Sequence, residues 1–302
     1  MSSTETQTAV ERVLTLRQFP GFDEADLSEL AIVAENVVEQ AFEAGEQVIA
    51  AGGAPALHLV IEGKLVGQTS RHTWSQHEVL NAIESMARRR AREPVVAEVP
   101  TRTLRLSAKD FAEILEDNFG FLSNVRRALA RRLLAVTAAP AVTPIVEEVN
   151  ALPETLGMVD RLIMLRTLMP FAKGRIEALA ALAQAAEEIR IPANTQICLA
   201  GELATSVLIL LEGSASCARS GASPLIVGPG HAIGALETLG EVPFTATIRT
   251  LAAVRALRCP GAALFDVLED HTDLALGMIE SLSGSVLDAG LVDVFVDRTH
   301  VN

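Results

Sequence analysis

Two kinds of hydrophobic spacing alternate along this chain, and the order in which they appear occurs twice. Leu27, Leu30, Ile32 and Val33 recur at helical intervals, as do Ile176, Leu179 and Leu182. Such a period predicts an amphipathic helix at each place. Pro20 and Pro170 punctuate the entries to these helices. Apolar and β-branched residues then alternate between glycines over 189–197, 207–211, 225–227 and 248–257, which predicts short strands joined by tight turns. Helical spacing returns over 108–134 and 261–282.

The recurrence extends to residues. Arg12-Val13-Leu14-Thr15-Leu16-Arg17 lines up with Arg161-Leu162-Ile163-Met164-Leu165-Arg166 at a shift of 149, and Phe22, Val48 and Gly52 meet Phe171, Ile197 and Gly201 at that shift. Val60-Ile61-Glu62-Gly63 meets Leu210-Leu211-Glu212-Gly213 one residue later, and Asn81 to Met86 meets Gly234 to Leu239 at a shift of 153. A shift that drifts by four residues over a whole domain marks an internal duplication. The boundaries expected from it are a first domain over 10–136, a linker over 137–153, a second domain over 154–285 and a tail over 286–302. The linker contains Thr137-Ala138-Ala139-Pro140-Ala141-Val142-Thr143-Pro144, whose small residues and prolines suit a spacer. Helix, compact β-roll of jelly-roll type, then helix gives an α+β fold made of two tandem copies.

The second copy carries the most specific pattern. Ile197 to Gly213, with Gly201-Glu202 before a strand and Glu212-Gly213 after it, resembles the opening of a cyclic nucleotide-binding domain. Leu225 to Gly234 resembles the approach to that family's phosphate-binding cassette, and the first copy keeps Gly52, Gly53 and Glu62-Gly63. The resemblance to the tandem domains of cAMP receptors and protein kinase A regulatory subunits covers residues 15–135 and 163–285. It implies that a cassette Glu takes the ribose hydroxyl and an Arg neutralises the phosphate, in a frame Gly-Glu-Leu-Ala followed by Pro-Arg-x-Ala-Thr. This chain reads Gly234-Ala235-Leu236-Glu237 and Pro243-Phe244-Thr245-Ala246-Thr247. Ala235 thus stands at the Glu position and Phe244 at the Arg position. In the first copy Asn81-Ala82-Ile83-Glu84 opens the cassette, Ala82 stands at the Glu position, and Arg88, Arg89, Arg90 and Arg92 lie near the Arg position without its frame. Charge-assisted hydrogen bonds contribute on the order of 1.5–3 kcal/mol each. Losing two removes roughly 3–6 kcal/mol, or about 10²–10⁴ in affinity. Cyclic nucleotide is therefore not expected as a ligand. Glu237 and Glu84 recur at the same cassette position, either as displaced ribose ligands or as ordinary helix carboxylates.

Composition narrows the remaining classes. The net charge of −13 opposes non-specific binding to nucleic acid, and 4% aromatics with no Tyr leaves no stacking platform, so DNA is not an expected partner. No apolar run reaches the ~18 residues of a membrane span. The first residues lack a signal-peptide pattern. Three widely spaced cysteines, Cys198, Cys217 and Cys259, suit a reducing cytoplasm.

Other motifs offer little chemistry. Gly228-Pro229-Gly230 reads as a turn, His72 and His77 flank an apparent loop without a third ligand, and Ser216-Cys217 lacks a base. No catalytic set, metal site or cofactor is expected. Arg126-Arg127 and Arg131-Arg132 read as a solvated helix face, with a basic patch as the alternative. The Ala-rich stretch Ile176 to Ala183 permits either close helix approach by a partner or burial within its own domain. The expectation is a non-enzymatic cytoplasmic regulatory or adaptor protein acting through contacts with another protein, with self-association left open. The alternative is a sensor of a cyclic nucleotide or nucleoside that relays binding to a partner, the Arg cluster of the first copy serving a phosphate.

Overall fold

A computed structural model of the chain describes residues 8–19, 21–22, 25–136, 153–167, 171 and 174–290. The first copy opens with helices α1 (Ala9–Leu16) and α2 (Leu27–Asn36). Strands β1 (Val38–Phe42), β2 (Gln47–Ile49), β3 (Ala56–Glu62), β4 (Lys64–Gly67), β5 (Thr73–Ser75) and β6 (Val79–Leu80) follow. A short helix α3 (Ala82–Met86) precedes β7 (Val95–Ala97) and β8 (Thr101–Ser107), and α4 (Ala108–Asp117) and α5 (Phe119–Val136) close it. The second copy repeats the order: α6 (Met158–Thr167), α7 (Ile176–Ala185), β9 (Glu187–Ile191), β10 (Gln196–Cys198), β11 (Ser206–Glu212), β12 (Ala215–Ala218), β13 (Leu225–Val227) and β14 (Ala232–Ile233). Then come the short helix α8 (Ala235–Gly240), β15 (Thr247–Thr250), β16 (Val254–Pro260), α9 (Gly261–Asp270) and α10 (Thr272–Asp288).

Each copy folds its strands into two four-stranded antiparallel sheets. In the first the orders are β1-β8-β3-β6 and β2-β7-β4-β5, and in the second β9-β16-β11-β14 and β10-β15-β12-β13. The α+β architecture with two β-rolls is therefore the observed one. Register makes the copies comparable position by position. His58 pairs with Leu80 and Arg105 as Leu208 pairs with Ile233 and Arg258, and Val60 faces Thr103 as Leu210 faces Ala256. Both rolls shift register between Gln47 and Ile49 or Gln196 and Cys198, and again between Val60 and Glu62 or Leu210 and Glu212. There one arginine holds two carboxylates, Arg102 with Glu39 and Glu62, and Arg255 with Glu188 and Glu212.

Contacts divide the chain into unit 1, Met1–Ala128 with Ser283–Asn302, and unit 2, Leu129–Leu282. These divisions fall inside α5 and α10, whereas the expected limits at 136 and 285 follow the repeat. At 18 residues, α5 runs to about 27 Å, long enough for its last turns to bury Leu129, Ala130 and Leu133 in different surroundings from its first.

Several expected elements are subdivided. The stretch 189–197 breaks into β9 and β10 around Pro192 and Asn194, whose φ of 59° turns the chain, and 248–257 breaks into β15 and β16. The terminal helices break at Asn118, which is in extended backbone, and at His271. Asn118 caps the new helix by accepting the Phe121 amide at 3.2 Å. The second terminal helix runs to Asp288, into the expected tail. Leu27, Ile32 and Ile176, read as part of the apolar helix faces, are exposed. Ala178, Leu179, Leu182 and Ala183 are buried within unit 2, so the small residues of α7 serve its own packing. Arg126 is buried and Arg127 and Arg132 are half-buried, which corrects the solvated-face reading for these three, whereas Arg131 is exposed as expected. Pro20, Pro170, residues 137–152 of the linker and residues 291–302 of the tail lie outside the described residues. Among the described residues no helix is long and apolar enough to cross a membrane.

Candidate ligand site

In unit 2 the cassette is a short loop-helix pinned to the β10–β11 turn. The Gly201 amide donates to the Phe244 carbonyl at 2.9 Å, and the Phe244 amide to the Glu202 carbonyl at 2.8 Å. Gly234 enters α8 at φ 75°, a left-handed conformation that glycine adopts without strain. A Cβ there would lie 2.8 Å from Phe244 Cε1 and 3.0 Å from the Ser206 carbonyl oxygen. The Phe244 ring thus lies against the start of α8, where the resemblance places a cyclic phosphate. The ring also packs on the apolar interior of the roll, with Leu208, Leu210, Ala215, Val227 and Ala256.

A carboxylate is bound to the residue after Phe244, Thr245. Glu237 is 4% exposed and accepts the Thr245 hydroxyl at 2.9 Å, and Thr245 in turn accepts from Arg219 Nη2 at 2.9 Å. Cys198 and Cys217 flank Ile248 on adjoining strands and belong to the same interior. Burial pushes the Cys198 thiol up to about 12, and the negative charges of Glu237 and Glu202 act in the same sense. Cys217 is also raised by burial, opposed by Arg219 and reinforced by Glu237. Both thiols stay protonated and unreactive. Ala235 and Leu236 open α8; Leu236 is buried, and Ala235 lines an apolar cavity of about 50 Å³ behind the helix, with Ala232, Leu239, Cys259 and Leu264.

Unit 1 fills the same space differently. The Gly52 amide donates to the Ala91 carbonyl at 3.0 Å, so Ala91 is the counterpart of Phe244. The expected cluster therefore straddles the Arg position without occupying it. Arg90 is exposed and donates to the Gly52 carbonyl at 2.8 Å, Arg89 pairs with Asp288 at 2.6 Å, and Arg92 donates to the Leu287 carbonyl at 2.6 Å. Asn81 takes the Gly234 place at φ 65°, and its Nδ2 donates to the Ala56 carbonyl at 3.1 Å. Ala82 and Glu84 are buried.

The interior of this roll contains Trp74, paired across strands with Leu65, where unit 2 has Val227 and Ala215. His58 takes the place of Leu208, and Thr103 that of Ala256. The His58 Nδ1 lies 3.1 Å from the Thr103 hydroxyl. Burial, with Arg105 nearby, lowers the imidazole pKa to about 4. No residue type in the linear pattern announced this pair; only the register places it inside.

The dismissed motifs occupy structural positions. Gly228-Pro229-Gly230 is a turn with Gly230 at φ 87°. Thr73–Ser75, expected in a loop, is strand β5, with His72 edge-on to Trp74 and His77 edge-on to Phe19. Among the described residues no group of three His, Cys, Asp or Glu is placed to hold a metal ion.

Residues 188–271 match the family model of the cyclic nucleotide-binding domain. The match lies within unit 2, and unit 1 repeats the strand order of that unit. No curated protein matches the chain. Among solved structures, the regulatory domain of Toxoplasma gondii PKA with cAMP is similar at 16% identity, covering 94% of this chain and 98% of that one, with a TM-score of 0.35. The regulatory subunit of a cAMP-independent protein kinase A from Trypanosoma cruzi bound to guanosine is similar at 14% identity, 97% of each chain and a TM-score of 0.36. A putative cyclic nucleotide-binding protein from Geobacter metallireducens is similar at 26% identity over 41% of this chain and 94% of that one, with a TM-score of 0.36.

Proposed function

We propose that this tandem of cyclic nucleotide-binding domains is a non-enzymatic, cytoplasmic regulatory or adaptor module that no longer takes a cyclic nucleotide and acts through contacts with other proteins. The observation that carries the reading is the Phe244 ring lying against Gly234, with the buried Glu237 carboxylate held by the adjacent Thr245. A cyclic phosphate brought there meets apolar surface and a negative charge in place of a guanidinium, and an unpaired anion in a low-dielectric site is strongly disfavoured. In unit 1 the equivalent positions, Ala82 and Ala91, are uncharged, and Arg89 and Arg92 are engaged with Asp288 and the Leu287 carbonyl while Arg90 donates to the Gly52 carbonyl.

The test is a titration of the full chain with cAMP and cGMP up to about 1 mM, read by calorimetry and by thermal shift, since ligand binding raises stability by mass action. No heat and no shift are expected. The Ala235→Glu/Glu237→Ala/Phe244→Arg variant restores the frame Gly-Glu-Leu-Ala and Pro-Arg, and it is expected to gain a measurable shift with cAMP. Micromolar binding to the unaltered chain would overturn the proposal.

A second reading has an observation of its own. Glu237 is a buried acceptor at the mouth of the roll, and a neutral ligand with sugar hydroxyls would supply donors without bringing a phosphate. Adenosine and guanosine belong in the same screen, and a shift with either that Glu237→Gln removes would favour a nucleoside sensor.

A further inference from the structure

The helices that open each unit leave apolar side chains facing solvent, at matching positions. In unit 1 these are Val10 and Leu14 on α1 and Leu27 at the start of α2, which are 57–69% exposed. In unit 2 the residues 149 positions later, Val159 and Ile163 on α6 and Ile176 at the start of α7, are 59–66% exposed. The i, i+4 spacing sets each aliphatic pair on one helix face, and Arg17 and Arg166, at i+7, stand at the end of the same face. The opposite side of each helix supplies Leu16 and Leu165 to the core.

Solvent-facing helix positions make no demand for aliphatic residues, and charged or polar ones serve there without exposing apolar surface. The two copies have diverged at interior positions as constrained as Ala91 against Phe244 and His58 against Leu208. All three exposed positions have nevertheless stayed aliphatic in both copies. That combination marks a surface kept for contact.

Charge points to the occupant. Each stripe has an acid near its beginning, Glu11 or Asp160, and an arginine at its end, Arg17 or Arg166. Glu11 and Asp160 each accept a backbone amide at the helix start, yet a carboxylate has further acceptor sites. Two such helices laid antiparallel bring the arginine end of one to the acidic end of the other, with aliphatic side chains between. A face of this kind is complementary to itself, as a two-fold contact requires.

We propose that these duplicated faces are a self-association surface through which the chain binds a second copy of itself. One such aliphatic pair, even with the exposed residue at the start of the next helix, falls well short of the ~800 Å² per partner of a stable interface. A chain using both faces gains from the intramolecular character of the second contact. The proposal rests on the contact-based reading above and adds its surface and partner, but does not depend on whether the roll of unit 2 is closed.

Sedimentation velocity of the full chain from about 1 to 100 µM tests it through mass action. The unaltered chain is expected to move from the 32.1 kDa species toward twice that mass as concentration rises. The Leu14→Glu/Ile163→Glu variant is expected to remain at 32.1 kDa throughout. Both changes fall on exposed positions, and an unchanged melting temperature and circular dichroism verify folding. If that variant melts early, Leu14→Gln/Ile163→Gln takes its place. A single-chain mass for the unaltered protein at every concentration overturns the proposal, as does equal association by a folded double variant. Failure here leaves the nucleotide titration untouched, and a positive nucleotide titration leaves this surface untouched, so the two readings fail separately.

Discussion

Unit 1 and unit 2 share strand order, register and bulge, yet each blocks its roll with a different aromatic from a different element. In unit 2 the plug is Phe244, from the cassette itself, over the small Ala215 and Val227. In unit 1 it is Trp74, from strand β5 beside Leu65, and the cassette position shrinks to Ala91. Interiors are close-packed, so volume added at one wall is removed at another. The entry residue follows from the same exchange. With Phe244 present only glycine fits at 234, whereas with Ala91 present Asn81 is accommodated and donates to the carbonyl equivalent to that of Ser206. A duplicated fold thus tolerates two solutions to the same packing problem.

The largest effect that would sharpen this contrast is loss of the buried plug. Trp74→Ala is expected to destabilise unit 1 by about 3–5 kcal/mol, and Phe244→Ala to cost unit 2 less because its ring is only half-buried. Denaturant unfolding of each variant measures the difference; equal costs would show that the two rings fill their rolls alike and would remove the contrast.

Next comes acid. His58 is buried neutral in unit 1, and unit 2 has Leu208 at that place. The imidazole pKa is lowered from 6.5 to about 4 on folding, so the unfolded chain binds the extra proton between those values. Stability is full above the unfolded pKa and falls as pH drops from about 6.5 toward 4, by roughly 3 kcal/mol at 1.36 kcal/mol per unit. His58→Leu, copying unit 2, is expected to flatten that part of the pH–stability curve. An unchanged slope in the variant would remove His58 as its source.

The smallest expected effect tests the linkage between entry residue and plug. Gly234→Asn, copying unit 1, is expected to cost about 1–3 kcal/mol by overpacking against the Phe244 ring. In a double variant with Phe244→Ala most of that cost should vanish, giving a coupling energy of about 1 kcal/mol or more. Additive losses would show that the two positions are independent.

Much of the fold was legible in the chain. The drift of the repeat from 149 to 153 located every matched segment, because insertions in a duplicated domain are absorbed by turns. The Glu62-Gly63 and Glu212-Gly213 turns, and Gly234 before its short helix, were readable because left-handed backbone restricts the residue type. Less legible were the breaks at Asn118 and His271, where an uninterrupted helical pattern spans two helices. The Arg cluster was hard to place for a similar reason: nearness in sequence to the Arg position does not fix which residue occupies it. The amide of Gly52 selects Ala91.

By itself the sequence determined the two-copy α+β architecture and put Ala235 and Phe244 at the positions where the resemblance places a Glu and an Arg. These follow from residue types at fixed intervals, which local backbone geometry translates directly into turns, helices and strands. Tertiary structure alone decided which side chains meet inside each roll: Phe244 on Gly234, Glu237 with Thr245 and Arg219, Trp74 with Leu65, and His58 with Thr103. It also left Val10, Leu14 and Leu27, with their counterparts, facing water. A periodic pattern specifies that a face is apolar, but only packing fixes whether that face is covered.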